Sequence, residues 1–122
     1  MATWLLKTEP SEYSFDDLVK EKRTRWGGIT NPTARKNARA MQKGDRVVIY
    51  HTGGERRAVG LAEVAAAGDE PEIRAGKRLA KPVGLDEIKA SALFKTSPLV
   101  TIGRLSVVPL DAAQFDFIVR QS

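Results

Sequence analysis

Few residues of this sequence have chemistry to offer, and their spacing limits what that chemistry can be. The single histidine, His51, ends the apolar run RVVIYH just before a pair of glycines. A catalytic base needs a nucleophile and an orienting group within reach. No such spacing surrounds His51, so it is expected to be a partly buried histidine bonded to a loop carbonyl. Glu9 and Glu12 flank Pro10 and could form an acid and base pair. Their place ahead of a helix start makes them partners of the positive helix end instead. Gly27-Gly28 and Gly53-Gly54 lack the strand-to-helix spacing of a phosphate-cradling loop or a dinucleotide fingerprint. With no cysteine and one histidine, disulfides, thiolate zinc sites and a cysteine nucleophile are ruled out. No metal and no cofactor is therefore expected.

Trp26 stands apart. It lies in RTRWGGITN, a stretch of turn-forming and polar residues, whereas a core tryptophan usually sits in an apolar periodic run. The segment predicts a half-exposed indole that either caps the core or stacks on a ligand. Its company favours the ligand: Arg23, Arg25, Arg35, Lys36 and Arg39 surround it in sequence, and cations interleaved with an aromatic suit a stacked base with held phosphates. Twenty Lys and Arg against fifteen Asp and Glu give a net charge of +5 and an isoelectric point near 9.7. Such a field attracts polyanions. Trp4, inside TWLLK, reads as core.

The elements that must position these residues follow from local signals. A chain of 122 residues, 42% hydrophobic, suits one domain over 1–122 with one core. No apolar run is long enough to span a bilayer and the N-terminus lacks a secretory pattern, so a cytoplasmic or nuclear protein with no membrane contact is expected, the cytoplasm being the first choice. A monomer is expected as well. TWLLK (3–7) predicts a strand that stops at Glu9-Pro10. Ser14 with Asp17 three residues on caps a short helix to about Lys22. Asn31-Pro32 announces a second helix to about Met41, with Ala34, Ala38 and Met41 on its inner face and Arg35, Lys36 and Arg39 looking outward. RVVIYHT (46–52) and RRAVGLAEV (56–64) are two strands joined by a glycine hairpin. EIRAGKRLAKPV offers at most a short edge strand. LDEIKAS predicts a short helix, Leu105 to Val108 a strand, and Asp111 the cap of a terminal helix. The order points to an α+β protein built on a small curled sheet or barrel with helices around it.

The blocks WLLKTEPSEYSFDDL, TRWGGITNPTARKNARAMQKGDRVVIYHTGG, AVGLAEV and GRLSVVPL together resemble an EVE domain of the PUA-like superfamily across nearly the whole chain. The resemblance implies a PUA-like pseudo-barrel of mostly antiparallel strands surrounded by short helices, distantly similar to the YTH domain, whose aromatic cage reads a methylated adenine in RNA. It further implies a non-catalytic module that captures a modified base, such as modified cytosine, in DNA or RNA. Carried over by residue, the base pocket draws on Lys7 and Thr8, Trp26 with the backbone at Gly27, Asn31, the strand end Tyr50-His51, and Arg104 with Ser106. Ile29 is the candidate niche for a methyl group. The expected phosphate contacts are Arg23, Arg25, Arg35, Lys36 and Arg39. The alternative is a small-molecule or nucleoside-processing enzyme in the same cleft, using Glu9 or His51. The chain departs from the family where Gly27 and Thr30 replace a common Asp and Arg, in a short segment after Val64, and at Phe115, where tryptophan is common and a core role is expected.

Overall fold

The computed structural model describes residues 2–121, the side chain of Gln121 excepted. Six strands form one mixed sheet: β1 (Thr3–Thr8), β2 (Arg23–Arg25), β3 (Arg46–His51), β4 (Arg57–Ala66), β5 (Glu72–Gly84) and β6 (Val107–Leu110). Their order across the sheet is β2-β5-β4-β3-β1-β6. β1 runs parallel to β3, and every other neighbouring pair is antiparallel. Trp4, Leu5 and Leu6 are all buried although alternate strand residues face opposite ways, so both faces of β1, which lies between β3 and β6, are covered. The expected α+β class holds.

The helices start where the sequence signals them. In α1 (Phe15–Glu21) the Ser14 hydroxyl accepts from the Asp17 N–H at 3.1 Å, and the Asp17 carboxylate accepts from the Ser14 N–H at 2.9 Å. In α2 (Pro32–Ala40) Asn31 Oδ1 accepts from the Ala34 N–H at 3.0 Å, and Ala34, Ala38 and Met41 are buried as expected. α3 (Leu85–Ala90) also falls where expected, followed by a 3₁₀ turn (Ala92–Phe94) and α4 (Pro98–Thr101), two short pieces without periodicity to announce them. In α5 (Ala112–Gln121) the Gln114 N–H donates to the Asp111 carboxylate at 2.7 Å. Phe115 is in the core, where the Arg46 guanidinium lies 5.4 Å from its ring centre.

Three expectations about strands change. β5 is 13 residues long and lies between β2 and β4, not at an edge. At its Gly76 a Cβ would meet the Leu61 carbonyl oxygen at 2.8 Å, so the glycine permits a close backbone approach. The register between β4 and β5 shifts three times, and such irregularities bend a sheet. β2 was not foreseen at all: three residues are too few to show alternation, and two are arginine. β6 sits two residues later than expected and includes Pro109, tolerated because β6 is an edge strand.

Trp4 is core, as its neighbours predicted. Its indole N–H donates to Asp45 Oδ2 at 3.0 Å, and that carboxylate also accepts from the N–H groups of Gln42 and Ala2. Asp45 is 6% exposed, and these donors are what let a carboxylate remain there.

Candidate functional site

The parallel strands β1 and β3 end side by side, and their register pairs Lys7 with Tyr50 and Thr8 with His51. The two-residue period of a strand sends the two pairs to opposite faces. On one face Thr8 donates its hydroxyl to the Tyr13 carbonyl at 2.6 Å, and His51 Nε2 accepts the Phe15 N–H at 3.0 Å. On the other, the Lys7 ammonium lies 5.8 Å from the centre of the Tyr50 ring and donates to the Gly103 carbonyl at 2.9 Å.

A cleft of about 270 Å³ opens at this end of β1, lined by Lys7, Thr8, Glu9, Tyr13, Arg25 and Trp26, with Thr24 and Gly27 completing it. Local structure explains its walls. The Glu9 carbonyl accepts from the N–H groups of Glu12 and Tyr13, a tight turn that swings Tyr13 back over the strand end. β2 places Thr24 and Arg25, and the Trp26 N–H donates to the Pro71 carbonyl at 2.8 Å. Tyr13 and Trp26 meet edge to face, ring centres 6.0 Å apart at 86°. Trp26 is 9% exposed, so the half-exposed indole expected from its polar neighbours is corrected: it belongs to the buried core cluster, with the Tyr13 ring packed against that cluster. No acceptor among the described residues takes its indole N–H. Since no fully buried side-chain polar atom lacks a partner, that N–H is reachable from solvent.

Electrostatics differ around the cleft. The Glu9 carboxylate accepts from the Ser11 N–H and hydroxyl and from the Thr52 hydroxyl, and it keeps further lone pairs for a ligand. Burial, reinforced by a hydrogen bond to Glu21, pushes the Tyr13 phenol up to about 12, so it stays neutral. Burial lowers the Lys7 ammonium from its ordinary value. Arg25 lines both this cleft and a neighbouring hollow with Arg35, Asp69, Glu70 and Glu72. The Glu70 carboxylate stands 2.5 Å from where a Cβ on Gly27 would lie, so a carboxylate occupies the space left by the missing side chain at 27. Glu70 comes from the short segment after Val64, which thus still closes on the Trp26 loop.

Of the base-pocket candidates, the structure gathers Lys7, Thr8, Trp26 and Gly27 around one cleft. Ile29 is half-buried against the core, Asn31 commits its amide oxygen to the α2 cap, and neither lines the cleft. Tyr50 faces the opposite side with Lys7. His51 has both ring nitrogens engaged, though not by the loop carbonyl expected: Nε2 accepts from the Phe15 N–H, which leaves Nδ1–H to donate to the Glu55 carboxylate at 3.0 Å. Arg104 is exposed outside the cleft, and the Ser106 carbonyl accepts the Lys7 N–H, fixing the end of β1. Among the cations, Arg23 pairs with Glu72, whereas Arg35, Lys36 and Arg39 are exposed on α2. Sequence reasoning missed Tyr13 and Thr24, and it named Glu9 only for the enzyme alternative. Tyr13 is the second aromatic of the cleft, and its signal was an aromatic just ahead of the Ser14 cap. No group of three or more metal-ligating side chains converges among the described residues, and no described helix is long and apolar enough to cross a membrane.

The comparisons bear on this geometry. The model of the EVE domain family matches residues 2–72 and 67–121. A hypothetical protein from Leishmania major superposes with a TM-score of 0.91 at 32% identity, covering 99% of this chain and 94% of that one. A protein from Agrobacterium tumefaciens does so with a TM-score of 0.93 at 32% identity, covering 99% and 92%. The human THYN1 protein, solved in complex with 5-methylcytosine-containing DNA, matches with a TM-score of 0.89 at 22% identity, covering 99% and 97%. A comparison with curated proteins gives no match. The PUA-like pseudo-barrel expected from the sequence is the fold these chains share. Matched by the family model from residue 2 to residue 121, this chain belongs to the EVE domain family.

Proposed function

We propose that this protein is a non-catalytic reader of modified bases in nucleic acid, acting as a single domain, with the Trp26 cleft as the base pocket. The observation that carries the proposal is the Tyr13–Trp26 corner, where an indole whose N–H has no acceptor among the described residues lines a cleft flanked by Lys7 and Arg25. Pockets for drug-sized ligands run from about 300 Å³ upward, so a cleft slightly smaller suits one base taken out of its stack. Within it the Trp26 N–H is a donor for a ring or carbonyl acceptor, and the Glu9 carboxylate is an acceptor for an exocyclic amine. Thr8 and Thr24 add hydroxyl oxygens. That pattern of one donor opposite one acceptor suits cytosine, and the human THYN1 protein's complex with 5-methylcytosine-containing DNA supports a modified cytosine as the ligand. Arg35, Lys36 and Arg39, exposed on α2, supply a sequence-independent attraction for the backbone.

The enzyme alternative has no observation in its favour, because the His51 nitrogens are engaged and Glu9 faces no partner base. Incubation with modified and unmodified oligonucleotides followed by mass spectrometry should show unchanged substrate. The test of the reader itself is titration with oligonucleotides that differ only in one cytosine modification, against the wild type and Trp26→Phe. A preference for the modified strand that Trp26→Phe reduces is expected. Equal affinities for all strands, unaffected by the substitution, would remove the base pocket.

A further inference from the structure

On the face of the sheet opposite Trp26, a second cleft of about 260 Å³ opens around Tyr50. Its polar lining is Lys7, Arg56, Lys89 and Thr52, over an apolar floor that includes Leu99 and Val100. Three cations and no carboxylate line it. None of the three makes an ion pair among the described residues. Nearby acids stand outside its lining: the Glu9 carboxylate borders it, accepting from the Thr52 hydroxyl at 3.4 Å and lying 2.5 Å from where a Cβ on Gly53 would stand, and Asp86 and Glu87 line a neighbouring hollow shared with Arg56 and Lys89.

Each cation is held where it stands. The Lys7 ammonium has three donors, of which the Gly103 carbonyl takes one, and the Tyr50 ring supports its charge from the side. It is half-buried with no anion to compensate, which is why its proton is held less firmly than in water. Arg56 has φ +47°, the left-handed region where a residue with a Cβ is uncommon and strained. The Leu85 N–H holds the Arg56 carbonyl at 2.8 Å and the Gly53 carbonyl accepts from Arg56 Nε at 3.3 Å, so the strain is maintained and the guanidinium stays at the cleft wall. Lys89 reaches the same cleft from α3.

We propose that the Tyr50 cleft is an anion site that takes a phosphate group, supplied by the backbone of the same strand whose base enters the Trp26 cleft. The source of the phosphate rests on the base-reader proposal; the anion site itself does not. The two clefts share Lys7 and lie on either side of the end of β1, so a strand passing that end can engage both.

Inorganic phosphate, titrated against chloride at constant ionic strength and followed by amide NMR, tests the site directly. Saturable shifts at Gly53, Arg56 and Gly103 are expected. Arg56→Asn, which suits the left-handed backbone, combined with Lys89→Gln should weaken them roughly tenfold or more, with the rest of the spectrum unchanged. Unsaturable shifts, or shifts equal in the double variant, overturn the anion site. A modified oligonucleotide with one neutral methylphosphonate linkage beside the modified base tests the source. Weaker binding to the wild type but not to the double variant is expected. Phosphate binding with no effect of the neutral linkage overturns the strand as its source. If Trp26→Phe weakens oligonucleotide binding while phosphate shifts ignore the double variant, the base pocket stands and the anion site falls. The reverse pattern keeps the anion site and removes the base pocket.

Discussion

The two tryptophans are almost equally buried, Trp4 at 8% and Trp26 at 9%, yet they do different work. Trp4 gives its indole N–H to Asp45, a buried carboxylate that also gathers the backbone at Gln42 and Ala2. Trp26 gives its N–H to no described residue and meets Tyr13 edge to face at the wall of a cleft. Burial alone therefore does not separate a structural indole from a binding one. The fate of the single polar atom does, because a core normally satisfies its polar groups and a binding site keeps one for its ligand.

Breaking the Trp4 side should produce the largest effect. Trp4→Ala removes a core indole and one donor to Asp45, so a loss of about 3–5 kcal/mol is expected in urea unfolding. Oligonucleotide affinity of the folded fraction should be unchanged. On the Trp26 side the burial means that alanine would lower stability as well as affinity, so phenylalanine is the sharper probe. Trp26→Phe keeps a ring in the corner and loses the N–H, worth about 0.5–1.5 kcal/mol, or roughly three- to tenfold in affinity for the modified strand. Its unfolding midpoint should stay close to that of the wild type. A Trp26→Phe protein that unfolds readily while binding unchanged would erase the contrast between the two indoles.

A subtler outcome is expected on the rim. Reversing Arg35 and Arg39 to Glu should flatten the dependence of log affinity on log salt by about 2 for duplex DNA, equally for modified and unmodified sequences. An unchanged slope would place the backbone elsewhere.

The smallest effect concerns pH. Tyr13 is raised to about 12, so the folded protein holds a proton that the unfolded chain releases above about 10. Its contribution to stability is complete below the unfolded value and disappears as pH rises through the folded one. Denaturation midpoints should fall between about pH 10 and pH 12, less so in Tyr13→Phe. Phenolate absorbance should show a late-ionising group that this substitution removes.

Much of the scaffold was legible in the residues. Ser14 with Asp17, Asn31 before Pro32, and the Gly53-Gly54 hairpin are local devices whose partners lie within a few positions, so sequence suffices to see them. β5 was hidden because its identity as an inner strand depends on β2 and β4 lying beside it, and Gly76 and Pro82 mimic breakers. The cleft was half visible for the same reason. Trp26, Lys7 and Thr8 could be named, but Tyr13 and Glu9 join them only through the turn that the Glu9 carbonyl closes. Tyr50 could be named too, but only the pairing of β1 with β3 shows that it turns away from Trp26.

That pairing also makes the molecule sensitive to a kind of change unlike any substitution. Lys7 and Thr8 are consecutive, and strand geometry alone decides which of them faces the aromatic corner and which faces the cations. Deleting one residue from β1, or inserting one, would slide the strand by a single step and exchange the two faces without altering either side chain. A lysine would then stand where the Thr8 hydroxyl donates to the Tyr13 carbonyl, and a hydroxyl would replace the charge beside Tyr50. Two adjacent letters of the sequence thus act as a parity bit, and the tethers at Ser106 and Thr52 that hold the end of β1 keep it from being misread.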